Sequence, residues 1–175
     1  MLLLKQIESL SIMAEQFSSF AQMPQDQFNA FNLSGITYEV ASLFKQEKNT
    51  QIESEIQKNI FLWADSEQIK RVLINIIKNA IQAIPDDTMG LIKVSLKAKK
   101  DIQIEISDNG IGISTENYPN IFAPNFSTKN SGMGLGLALS KKIIENSGGQ
   151  IQFKSILNKG TTFYITLPIY THETP

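Results

Sequence analysis

Apolar residues recur along this chain with three different periods, and each period predicts a different element. At the start, Leu3, Ile7, Leu10, Ala14, Phe17 and Ala21 alternate spacings of four and three. That is the seam of a helix packed lengthwise on another helix. Pro24 ends it, because a proline forces the preceding residue out of helical geometry. Such a seam requires a partner surface. A second copy of this helix is the favoured one, giving a homodimer through residues 1–22; the chain's own globular part is the other.

A second helical stretch is predicted from Ser34, read as its N-cap, with Ile36, Val40, Leu43 and Phe44 on one side. "TQIESEIQ" and "IFLWAD" read as short extended segments. Asp65 then opens a long helix, with Gln68 placed as in a capping box. Ile69, Val72, Leu73, Ile76, Ile77, Ala80 and Ile84 form its apolar stripe, and Pro85 closes it.

Beyond Pro85 the period changes to two. Ile92, Val94, Leu96 and Ala98 alternate with Lys93, Ser95 and Lys97, and Ile102, Ile104 and Ile106 continue the alternation. This predicts an antiparallel hairpin with one buried face. A loop-rich stretch runs from Asp108 to about Ser131. A further helix ends at "SGG", where Gly148 or Gly149 suits a left-handed cap. Two strands, "QIQFKS" and "TTFYITLP", turn around "NKG". Helices on a largely antiparallel sheet make an α+β layer arrangement.

Composition narrows the function classes. The 175 residues carry a net charge of −1, which gives no electrostatic reason to expect nucleic acid or an acidic membrane surface. No apolar run approaches the roughly 20 residues needed to span a bilayer. "MLLL" is too short for a signal peptide. The chain therefore reads as soluble and cytoplasmic, compatible with either a free or an anchored longer protein. There is no cysteine, which excludes disulfides and thiolate metal sites. The single histidine, His172, lies in the tail, which argues against a histidine triad or a multi-histidine metal site.

Three short stretches carry candidate chemistry. Asn75 and Asn79 lie four apart and share a helix face with Arg71 and Gln82. An asparagine amide is a suitable Mg²⁺ ligand where phosphates supply the negative charge. Asp108 follows a strand, and Gly110 and Gly112 frame the turn after it. "DNG" is a common tight turn, but the carboxylate also suits an exocyclic amine such as that of adenine. Ser127, Thr128 and Lys129 precede Gly132, Gly134 and Gly136 at the mouth of a helix. Backbone N–H groups there form a ready anion site.

In this order and spacing, "NIIKNAIQAI", "SDNGIGI", "IFAPNFSTK" and "GMGLGL" resemble the asparagine box, first glycine box, phenylalanine box and second glycine box of sensor histidine kinases. The resemblance covers about residues 30–170, and the flavour is nearest the nitrogen-regulation type with its short lid. "LSIMAEQFSSFAQMP" resembles the end of the second helix of such kinases' dimerisation and phosphotransfer domain. It implies residues 1–29 as the end of that domain, 30–170 as the catalytic ATP-binding domain and 171–175 as a tail.

The implied fold is the two-layer Bergerat ATP-binding sandwich, a mixed, mostly antiparallel sheet covered by helices, preceded by a long N-terminal helix. By the same resemblance Asn79 is the metal ligand for Mg²⁺ on the ATP phosphates, with Asn75 beside it, and Asp108 binds the adenine amine beside Gly110 and Gly112. Phe122 and Phe126 anchor the lid. Ser127, Thr128 and Lys129 reach the phosphates, and Gly132, Gly134, Leu135 and Gly136 form the lid's end. Asn75, Asn79 and Lys129 are the residues it implicates in transfer.

Related hydrolases of this superfamily (gyrase, the Hsp90 chaperone, mismatch-repair proteins) carry a glutamate base one turn before the metal-binding asparagine. Here that position is Asn75, an amide without useful basicity near neutral pH. The implied role is presentation of Mg·ATP for transfer to a histidine on a helix preceding Leu2, with a response regulator receiver domain as the onward partner. A nucleotide-binding interaction module and an anti-sigma-factor-type serine kinase are the alternatives.

Overall fold

The computed structural model describes residues 27–126 and 134–170. The N-terminal seam over residues 1–22, Ser127, Thr128, Lys129, Gly132 and His172 lie outside the described residues. Within them, the period-two stretches form strands β4 (Gly90–Ala98) and β5 (Ile102–Asp108), paired antiparallel with Val94 opposite Ile106. Ile92, Val94, Leu96, Ile102, Ile104 and Ile106 are all at most 1% exposed, so the alternation reads the buried face correctly.

Three more strands complete this sheet: β2 (Thr50–Ile56), β6 (Gln150–Ile156) and β7 (Gly160–Leu167), in the order β2-β4-β5-β7-β6. Only β2 and β4 run parallel, so the sheet is mixed and mostly antiparallel. Val94, Ile106, Phe163 and Phe153 stand abreast across four strands and point to one side. The other side carries Lys93, Lys97, Gln103 and Glu105, with Lys97 paired to Glu55 at 3.0 Å. One face is thus covered and one is open to water, as a two-layer domain requires.

The covering layer is three helices, α1 (Leu33–Leu43), α2 (Ser66–Gln82) and α3 (Gly136–Asn146). Helix α2 starts as predicted. Asp65 accepts from the Glu67 and Gln68 amides at 3.0 and 3.1 Å, satisfying two of the helix's unpaired donors. Ile69, Val72, Leu73, Ile76, Ile77 and Ala80 are at most 4% exposed, and truncating any one of the larger ones would cost about 2–5 kcal/mol. The helix ends at Gln82, before the expected stop at Pro85, and Ile84 packs on the core from beyond its end.

Helix α1 corrects two expectations. Its N-cap is Asn32, whose side chain accepts from the Gly35 amide at 3.0 Å. Ser34 is buried instead, donating to the Gln57 carbonyl at 2.7 Å and accepting from the Ile60 amide at 3.0 Å. Its hydroxyl pins the turn that follows β2. With the helix starting at Leu33, the inward face is Leu33, Thr37, Val40, Ala41 and Phe44, so Leu43 is 59% exposed. An exposed pair of Lys70 and Glu39, 2.6 Å apart, links α1 to α2, and that hydrogen bond holds the lysine above its ordinary pKa.

Strand β3 (Phe61–Ala64) pairs with β1 (Asn29–Asn32), a strand that "NAFN" did not announce because it has no alternation. Just before β1, the Gln27 amide donates to the Asp65 carboxylate at 3.0 Å. After β5 the chain makes a 3₁₀ helix over Thr115–Asn120. Helix α3 ends at Ser147 with Gly148 at φ +73, the left-handed cap the sequence called for. Among the described residues no helix is long and apolar enough to cross a membrane.

Candidate functional site

Helix α2 is the spine on which the candidate residues assemble. Asn75, Asn79 and Ala83 follow one another at intervals of four, one above the other on one face. The start of α3 lies over the first of them. A Cβ on Gly136 would come within 2.4 Å of Asn75 Oδ1, so this glycine is needed for the helix to seat there. The turn after β5 lies over the last. A Cβ on Gly110 would come within 2.5 Å of the Ala83 carbonyl oxygen, and the Ile111 amide donates to that oxygen at 2.9 Å. Asn79 therefore stands between the α3 start and the Asp108 turn, about 6 Å along the axis from each contact.

The two asparagines differ in what they touch. Asn75 donates from Nδ2 to Ser140 Oγ at 2.9 Å, and Ser140 is 2% exposed. Asn79 is half-buried, and its side chain has no hydrogen-bond partner among the described residues. A neutral amide oxygen held on a rigid helix, with no described residue bonded to it, suits a hard cation whose charge is balanced by phosphates. Among the described residues no three histidines or carboxylates cluster closely enough to hold a metal by themselves.

Asp108 closes the other end. Its Oδ1 accepts from the Gly110 amide at 2.9 Å and the Thr161 amide at 3.2 Å, so β5, the glycine turn and the start of β7 meet on one carboxylate oxygen. Gly160 makes this possible. It sits at φ +113, and a Cβ there would fall 1.9 Å from the Asp108 carbonyl oxygen. The missing Cβ atoms of Gly110 and Gly112 serve the protein's own backbone. At Gly112, with φ +67, a Cβ would lie 2.2 Å from the Ile156 carbonyl oxygen.

Side chains outside the sequence-derived set brace this turn. Asn109 accepts from the Leu91 amide at 2.7 Å and donates to the Met89 carbonyl at 3.0 Å. It thereby prolongs the β4 ladder while the main chain leaves the sheet. Ser155 Oγ accepts from the Ile113 amide at 2.8 Å and gives its one proton to the Gly160 carbonyl at 3.0 Å. That leaves the Thr161 hydroxyl, 2.9 Å away, as donor to Ser155. Thr161 could have been noticed from "GTTF" at a strand start, but Ser155 and Ser140 carry no signal in the sequence.

Phe122 belongs to an aromatic cluster. Phe122 meets Phe153 and Phe163 edge-on, with centroids 6.1 and 6.5 Å apart, and Lys141 Nζ lies 5.7 Å above its ring. Tyr118 meets Phe153 edge-on and donates its hydroxyl to the Ser155 carbonyl. Phe126 packs on the core from its half-buried place. Its backbone abuts Gly134, which takes φ +65 and has no room for a Cβ. Leu135, 7% exposed, starts α3 with its carbonyl accepting from the Leu139 amide at 2.9 Å.

Residues 64–171 match the family described as histidine kinase-, DNA gyrase B-, and HSP90-like ATPase. Sporulation kinase B of Bacillus subtilis (strain 168) is 32% identical over 171 residues, covering 95% of this chain and 40% of that protein. This chain spans less than half the length of the curated relatives it matches. The nucleotide-free catalytic domain of histidine kinase ThkA superposes with a TM-score of 0.72 at 34% identity, covering 82% of this chain and 96% of that one. ThkA in complex with the response regulator protein TrrA superposes with a TM-score of 0.79 at 26% identity, covering 99% of this chain and 51% of that one.

Proposed function

The chain belongs to the histidine kinase-, DNA gyrase B-, and HSP90-like ATPase family, and on that premise we propose that it presents Mg·ATP for γ-phosphoryl transfer to a histidine elsewhere in a sensor histidine kinase. The observation that carries this reading is Asn79, a half-buried amide whose side chain has no hydrogen-bond partner among the described residues, set midway between the α3 start and the Asp108 turn. Its oxygen is the ligand offered to Mg²⁺. Asp108 offers its carboxylate to the adenine amine from a position fixed by the Gly110 and Thr161 amides. Phe122 is held edge-on against Phe153 and Phe163, which lie on the covered face of the sheet.

When bound, Mg·ATP supplies the phosphoryl group, and the protein's part is positioning and charge stabilisation. Nothing in the asparagine pair activates water, so the site favours holding ATP over hydrolysing it. The response regulator is the onward partner in this reading, supported by the likeness to ThkA in its complex with TrrA. Residues 1–29 would then be the end of the dimerisation and phosphotransfer domain.

The test is nucleotide titration by calorimetry with and without Mg²⁺, followed by mixing with a separate helix bearing the acceptor histidine. Mg²⁺-dependent ATP binding and acid-labile labelling of that helix are expected. Labelling of a serine on a partner protein, or no nucleotide binding, would overturn the reading.

A further inference from the structure

Asn75 stands one turn before Asn79 on α2, and both ends of its amide are engaged by α3. Nδ2 donates to the buried Ser140 hydroxyl at 2.9 Å, and Oδ1 lies where a Cβ on Gly136 would be, within 2.4 Å. Gly136 and Ser140 are four apart on α3, so they stack on its face toward α2. Asn75 thus reaches between two successive turns of α3. One contact is polar and directional and the other is a steric stop, and together they set how far α3 slides and rolls on α2. The Asn79 side chain, one turn along, has no such engagement among the described residues.

We propose that Asn75 is a positioning residue, which acts through Ser140 and Gly136 to fix the start of α3 relative to the Asn79 amide. This rests on the ATP reading above. It follows that affinity for the phosphate end of the nucleotide depends on the hydroxyl of Ser140, which is 2% exposed and too deep to touch a ligand. The Asp108 end, braced separately by Gly110, Thr161 and Asn109, is independent of it.

Ser140→Thr and Ser140→Val add the same volume and differ only in the hydroxyl, while Ser140→Ala removes the hydroxyl without adding bulk. Calorimetry with Mg·ATP and with adenosine reads the two ends of the site separately. Ser140→Val is expected to bind Mg·ATP five- to tenfold more weakly than Ser140→Thr, and Ser140→Ala to fall similarly below the unaltered chain, with adenosine affinity unchanged in all three. Equal Mg·ATP affinity for Ser140→Val and Ser140→Thr, or parallel loss of adenosine, would overturn the proposal.

A double-variant cycle separates positioning from direct contact. Asn75→Ala combined with Ser140→Ala should bind Mg·ATP within twofold of Asn75→Ala alone, because both remove one connection. Multiplied losses would place Asn75 on the nucleotide itself and sink the proposal. An unaltered chain that binds no Mg·ATP would instead sink the ATP reading, and this inference with it.

Discussion

The Thr161 amide donates to Asp108 Oδ1 across 53 positions of sequence, at 3.2 Å. The same oxygen receives the Gly110 amide, so Asp108 holds the fold as well as offering a carboxylate to a ligand. Two substitutions separate these roles. Asp108→Asn keeps an oxygen that accepts both amides, so its urea midpoint should stay near that of the unaltered chain. Asp108→Ala leaves two amides unpaired and should lose about 2–4 kcal/mol, at roughly 1–2 for each bond to this part-buried carboxylate. Both should bind ATP at least tenfold more weakly. Unchanged ATP affinity in Asp108→Asn would remove Asp108 from the site.

Asn79→Ala should show the opposite balance. Its side chain has no partner among the described residues, and alanine is the better helix former. Stability measured by urea unfolding should therefore move by no more than about 0.5 kcal/mol. Mg²⁺-dependent ATP binding should be lost in calorimetry. Retained binding in a folded Asn79→Ala protein would require another residue to meet the cation.

Glycine substitutions should sort by what stands beside them. At Gly160 a Cβ meets the Asp108 carbonyl oxygen at 1.9 Å, and φ is +113, so Gly160→Ala must move the backbone that places Asp108. It should cost several times more stability than Gly148→Ala. At Gly148 the nearest atom to a Cβ is Pro168 Cγ at 3.6 Å, leaving only the left-handed backbone penalty of about 1–2 kcal/mol. Thermal unfolding of the two variants side by side checks the order.

Much of this arrangement is legible along the chain because one period determines one buried face. The stripe from Ile69 to Ala80 and the alternation from Ile92 to Ile106 each have a single solution that hides the apolar atoms. The candidate site is legible differently, through the resemblance of four short stretches rather than through any one of them. What escapes the sequence is whatever depends on distant partners. Asn32 and Ser34 are both competent caps, and the choice falls to Asn32 because the Ser34 hydroxyl is taken by Gln57 and Ile60, more than 20 residues away. Strand β1 exists because Phe61–Ala64 offers it an edge, not because "NAFN" prefers extension. The roles of Gly110 and Gly112 become visible only with Ala83 and Ile156 beside them.

Asn109 yields a stability prediction. Its Nδ2 donates to the Met89 carbonyl at 3.0 Å and its Oδ1 accepts from the Leu91 amide at 2.7 Å, both at an exposed site. Asn109→Asp keeps the second bond and loses the first, whereas Asn109→Ala loses both. Each such bond is worth about 0.5–1.5 kcal/mol, so Asn109→Ala should be destabilised more than Asn109→Asp. Parallel urea titrations at pH 7 check the order.

The reaction itself is the last point open to test. Asn75 stands one turn before Asn79, and its amide has no proton-accepting strength near neutral pH. It is also committed to Ser140, with Gly136 closing the space beyond Oδ1. A base installed there by Asn75→Glu meets the same crowding, because the Gly136 backbone already stands against Oδ1 of the shorter side chain. The unaltered chain should therefore bind Mg·ATP and release phosphate at a negligible rate. Asn75→Glu should weaken ATP binding without raising that rate. A phosphate-release assay decides both, with Asn79→Ala as the control. Steady turnover that disappears in Asn79→Ala would show that the site hydrolyses ATP by itself, and the reading of a site that keeps ATP for transfer would be abandoned.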